Sequence, residues 1–168
     1  MLQYRDRVLV NFRDFAFAER GGHGFRWVDV KRFGTSAAAD RELLRALVGD
    51  VRFRDDYAGG GVDPAGTRHG PYWLDRVTAE AFEPVAEAEA VEVLGNWASG
   101  GGEVPADLAE VLEREVFGPV REATGRYRLK DLGRTAFHDW GGVHGEFHEF
   151  VLVDRAAGSL SLLVAADD

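Results

Sequence analysis

From Gly125 to the C-terminus the apolar residues settle into a period of two, and that spacing constrains the fold more than any other feature of the chain. Successive side chains of a strand point to opposite faces. Arg126, Arg128 and Lys130 therefore share one strand face, and Tyr127 and Leu129 the other. The pattern predicts strands over 126–130, 133–139, 143–154 and 159–166, joined as a meander, with Asp154 to Gly158 as the last turn. Phe150-Val151-Leu152-Val153 is the most strand-like stretch of all.

Upstream the period lengthens. Leu43, Leu44, Leu47 and Val48 make one apolar stripe, predicting a helix over Ser36–Val48 with Ser36 as its cap. A second helix is expected from Pro84 to Leu94, burying Val85/Ala86, Ala90 and Val93/Leu94, with Gly95 helping to end it. A third runs from Pro105 to Phe117 on Leu108, Val111, Leu112 and Val116, until Gly118-Pro119 stops or kinks it.

Residues 6–19 fit either period. The Gly-rich cluster Glu19–Gly24, followed by Phe25–Val30, favours a β-hairpin. Val51–Arg54 reads as a short strand with its arginines outward, and Asp55–Pro71 as a long loop. Helices followed by strands imply an α+β class. The expected fold is one domain over 1–168: a mainly antiparallel sheet with a C-terminal β-meander, one face covered by about three helices.

Composition removes several functions. The chain has no cysteine, which excludes disulfides, thiolate metal sites and a cysteine nucleophile, and fits a reducing compartment. MLQYRDRVLVNF is broken by charge too early for a secretory leader, which needs about 7 to 15 apolar residues. No apolar run approaches the roughly 18 residues of a membrane span. The expected location is the cytoplasm. Of the 20 basic residues only Lys31 and Lys130 are lysine, which reads as GC-rich, bacterial-like codon usage. The net charge of -9 is confined to 74–122, with twelve acidic residues against three basic. A basic footprint for nucleic acid is absent. No serine sits in a Gly-x-Ser-x-Gly elbow, and no glycine pattern fits a dinucleotide or phosphate loop.

The chemistry-bearing residues gather in Phe137–Phe150, FHDWGGVHGEFHEF. If 143–154 is one strand, His144, Glu146 and His148 share a face that continues into Phe150 and Leu152. Two imidazoles and a carboxylate suit zinc, manganese or iron, with an open position for water. His138 or Asp139 would join them from the facing strand, depending on hairpin register. Without a metal, Glu146 and His148 are the candidate acid–base pair, with Trp140, His69 and Asp139 as ligand contacts. A polar row where a strand leaves the core gives the same pattern.

Two readings follow. One is a small-ligand site on the His/Glu row, with a divalent metal or with hydrolytic acid–base chemistry. The other is an acidic protein-interaction module, of inhibitor or immunity type, presenting 74–122 to a basic partner.

Overall fold

The computed structural model describes residues 2–168. Its centre is a six-stranded sheet in which every neighbouring pair is antiparallel. In chain order the strands are β1 (Leu2–Asn11), β2 (Arg26–Thr35), β5 (Phe82–Pro84), β6 (Gly125–Leu129), β7 (Phe147–Asp154) and β8 (Ser159–Asp167). Their spatial order is β1-β2-β8-β7-β6-β5. A two-residue pair, β3 (Arg68–His69) and β4 (Tyr72–Trp73), stands apart. The helices are α1 (Asp40–Gly49), α2 (Glu87–Ala98), α3 (Ala106–Leu112) and α4 (Gly118–Glu122). The α+β class and the mainly antiparallel sheet are as the sequence predicts.

Alternation divides the sheet into two different faces. On one, Val28, Val30, Phe150, Leu152, Leu163 and Ala165 pack under α2, α3 and α4. On the other, Phe33, Val151, Val153, Leu160 and Leu162 pack under α1 and the segments that follow it. Both faces are covered, so the central strands are apolar on both sides.

The helices keep their predicted buried stripes and shift at their ends. In α2, Ala90, Leu94, Trp97 and Ala98 are buried, and the helix runs past Gly95 to Ala98. Pro84 lies in edge strand β5, where its missing N–H costs no ladder bond. Helix α1 begins at Asp40, and no side chain caps it. Gly118-Pro119 does not end the third helix. Pro119 has no N–H to donate and its ring crowds the carbonyl four residues back. Glu113–Phe117 widens into a π turn, Gly118 N–H bonds to Glu113 O, and the chain continues as α4. Leu108, Leu112 and Val116 are buried, whereas Glu110 and Glu113 are exposed. Val111 and Glu115 are half-buried, and Glu115 pairs with Arg32 at 2.8 Å.

Two expected strands are not strands. Val51–Phe53 is a 3-10 turn held by Arg52 N–H donating to Asp50 Oδ1 at 2.9 Å. The segment 133–139 holds a 3-10 turn at Arg134–Ala136, and only Phe137 pairs, by one bridge to Tyr72. His138 N–H goes to Pro71 O at 3.1 Å, so the turn at 70–71 takes up the backbone that a hairpin would have used. Gly141 belongs to this docking, since a Cβ there would lie 2.4 Å from Pro71 O. No helix among the described residues is long and apolar enough to cross a membrane.

Candidate functional site

Strand β7 begins at Phe147, so only His148 of the expected row lies in a strand. Before it the chain turns through Gly141–Val143, where alternation does not apply. His148 stands on the helix-covered face, 3.1 Å from Glu146 Oε1 and 3.4 Å from the Arg128 guanidinium. His144 is carried to the other side, with Nε2 at 3.1 Å from Asp56 O and its ring edge-on to Trp27.

His138 is buried and both of its ring nitrogens are spent. Trp140 N–H donates to Nδ1 at 2.9 Å, and Nε2 lies 2.6 Å from Gly70 O. It keeps no lone pair for a metal. Asp139 is exposed, 3.8 Å from Arg68, and Trp140 is exposed. The row of His144, Glu146 and His148 with His138 or Asp139 therefore does not assemble as a zinc, manganese or iron centre. Among the described residues no three His, Asp or Glu side chains converge in a way that would hold a metal ion.

His69 lies in the floor of a site rather than over the row. It is fully buried, and its ring stacks on Phe53 with centroids 3.5 Å apart and planes 4° apart. Nδ1 is 2.6 Å from Phe53 O, and Nε2 is 2.6 Å from Glu149 Oε1. A carbonyl oxygen only accepts, so Nδ1 carries a hydrogen. The second contact needs one more proton, on Nε2 or on Oε1. The pair is thus imidazolium–carboxylate or imidazole–carboxylic acid, and either form stores a proton. Glu149 Oε2 is buried and has no partner among the described residues.

Register explains where this pair opens. Strand β6 accompanies β7 from Gly125↔Val153 to Arg128↔Phe150. Beyond Leu129 it swings away, and Lys130 N–H bonds to Ala81 O at 3.0 Å. Residues 147–149 of β7 keep β8 on one side and have no strand on the other. The resulting notch is a cavity of about 600 Å³. Glu149 and Phe147 line it from one sheet face and His148 and Arg128 from the other, and His144 is also among the lining residues.

A second buried polar group lies across the same sheet face. Asp29, Val164 and Glu149 stand side by side on β2, β8 and β7. Lys31 Nζ donates to Asp29 at 3.2 Å, Asp55 at 3.0 Å and the Tyr57 hydroxyl at 2.9 Å. Arg7 completes the chain of alternating charge by pairing with Asp29. Burial, with Asp29, Asp55 and Glu149 nearby, pushes the Tyr57 phenol well above its usual pKa, so it stays protonated. Tyr57 also sits at φ +56, a conformation that bulky residues adopt rarely and at a cost. Its ring lies edge-on to His69 with centroids 6.1 Å apart, which brings the two polar groups together.

Sequence reasoning passed over Asp29, Lys31 and Glu149. Each carried a signal: Asp29 and Lys31 lie between Trp27 and Phe33 on their strand face, and Glu149 lies between Phe147 and Val151. A charge with large apolar neighbours on both sides of one face cannot reach water and needs a buried partner.

No protein-family model matches the sequence, and no curated protein does. Among solved structures, two crystal forms of citrus MAF1 are similar, each with a TM-score of 0.40 and 11% identity over 85% of this chain. The likeness covers 89% and 88% of the MAF1 chains.

Proposed function

We propose that this chain binds a small polar molecule in the notch beside β7, and that the His69–Glu149 pair is the group that handles it. One observation carries the reading: Glu149 is buried at 1% exposure, lines the cavity and has an oxygen without a hydrogen-bond partner among the described residues. Leaving a buried carboxylate oxygen unpaired is costly, and such an oxygen is completed by an ordered water, an ion or a ligand donor. The pair also stores a proton between two locked side chains, so a ligand with a labile proton can exchange it with Glu149, as general acid–base chemistry requires.

The test is a panel of small alcohols, amides, amines and carboxylates, followed by amide NMR shifts. At least one should perturb Gly70, Tyr72 and residues 147–149, and Glu149→Gln should remove the response. If no probe perturbs those residues, the notch is not a binding site.

The acidic interaction surface remains a second reading, favoured by one observation. Glu89, Glu92, Glu103, Asp107 and Glu110 are exposed on the helical layer, and none forms a salt bridge among the described residues. On that reading a basic protein would bind with an affinity that falls steeply with salt. Association unchanged by charge-neutral variants of these residues would remove it.

A further inference from the structure

We infer that the molecule taken by the notch carries a primary aliphatic ammonium group; the inference rests on the notch being the binding site. Two residues that line the cavity each keep a buried acceptor without a partner among the described residues. One is Glu149 Oε2 and the other is His144 Nδ1. His144 Nε2 lies 3.1 Å from Asp56 O, so Nε2 carries the hydrogen and Nδ1 of the neutral ring accepts. A ligand that satisfies both must bring at least two donors and need not bring an acceptor. An ammonium has three donors and no acceptor.

The walls fit the same group. Phe147, Phe137 and Tyr72 line the cavity together with Glu149. Aromatic walls favour a cation over an anion at their faces. Phe147 holds its place because residue 70 is glycine: Gly70 has φ +53, and a Cβ there would lie 2.5 Å from the Phe147 ring. The rim agrees. Glu83, Glu89, Asp131 and Glu149 line the cavity against Arg128 and Lys130. Arg128 lies over the Phe150 ring on the helix-covered face, the opposite face from Glu149. An alkyl chain behind the ammonium would rest on the same rings.

The experiment compares n-butylammonium, n-butanol and butyrate, which share a chain and differ in the head group. Each is titrated into the full chain and followed by amide NMR at Gly70, Tyr72 and residues 147–149. Butylammonium should bind tightest. Glu149→Gln should weaken it by about ten-fold or more, as expected for losing a charged hydrogen bond. Glu89→Gln, an exposed change that leaves the fold alone, should weaken it by a smaller factor that disappears in high salt. Butanol should respond to neither variant. Butanol or butyrate binding in the notch as tightly as butylammonium would overturn the ammonium assignment and leave the notch reading standing. Silence from all three probes at these residues would overturn both.

Discussion

The two faces of the central sheet are made by the same strands and solve different problems. The helix-covered face buries Val28, Val30, Phe150, Leu152, Leu163 and Ala165, with one charged side chain, Arg26, buried at its end. One residue along each strand, the opposite face buries Asp29, Lys31 and Glu149. Burying charges costs several kcal/mol per ion, and even well-made internal pairs often hold a protein together no better than apolar residues of the same shape. Both faces carry an apolar core, the opposite one through Phe33, Val151, Val153, Leu160 and Leu162, and that opposite face adds a buried charged network beside it. The charged side is where the fold gives up stability for something else.

The first way to break this contrast is on the apolar side. Phe150→Ala should cost about 3 to 5 kcal/mol, and Leu112→Ala about 2 to 5 kcal/mol, read from the urea midpoint. Values near zero would show that this face does not carry the fold.

On the charged side the sign depends on what is removed. Lys31→Met alone leaves Asp29 and Asp55 buried without their shared counter-ion, and should cost about 3 to 5 kcal/mol. Changing Asp29→Leu and Asp55→Leu as well should restore most of that loss. A triple variant as unstable as the single one would make the network a true source of stability.

Alkali offers a third handle. Burial and the hydrogen bond to Asp40 push Tyr127 up to about 12, and burial holds Tyr57 well above its usual value. A phenol whose pKa is raised by folding contributes stability that is complete below its unfolded value near about 10 and is lost as the pH climbs through the folded value. The urea midpoint should therefore fall between pH 10 and about 12, and Tyr127→Phe should flatten part of that fall. An equal fall in the variant would mean that the Asp40 contact is absent.

The smallest effect belongs to exposed charge. Arg41–Glu80, an exposed pair at 3.1 Å, should show a coupling in a double-mutant cycle smaller than any change on the buried side, and one that fades with added salt. A larger coupling would blur the distinction between surface and buried ions.

The sequence shows the apolar side well and the charged side poorly. Alternation in Phe150–Val153 and in the last strand is local information, as is the stripe of Leu108, Leu112 and Val116, so both could be read directly. The segment 133–146 misleads because its alternating residues imitate a strand. What decides its path is His138 Nε2 bonding to Gly70 O, across 68 positions of sequence, and His138 N–H bonding to Pro71 O. Once the chain turns there, His144, Glu146 and His148 part company, and the expected metal row goes with them. Glu149 was hidden beside His148 for a similar reason. Its partner, His69, lies 80 residues away in the two-residue strand β3, whose packing no local pattern announces.

The most direct measurement is the urea midpoint of the double variant His69→Leu, Glu149→Leu. If this pair is kept for binding at the expense of stability, an apolar pair in its place should leave the midpoint unchanged or raise it. A fall as large as that of Phe150→Ala would contradict the account and make the pair part of what holds the fold together.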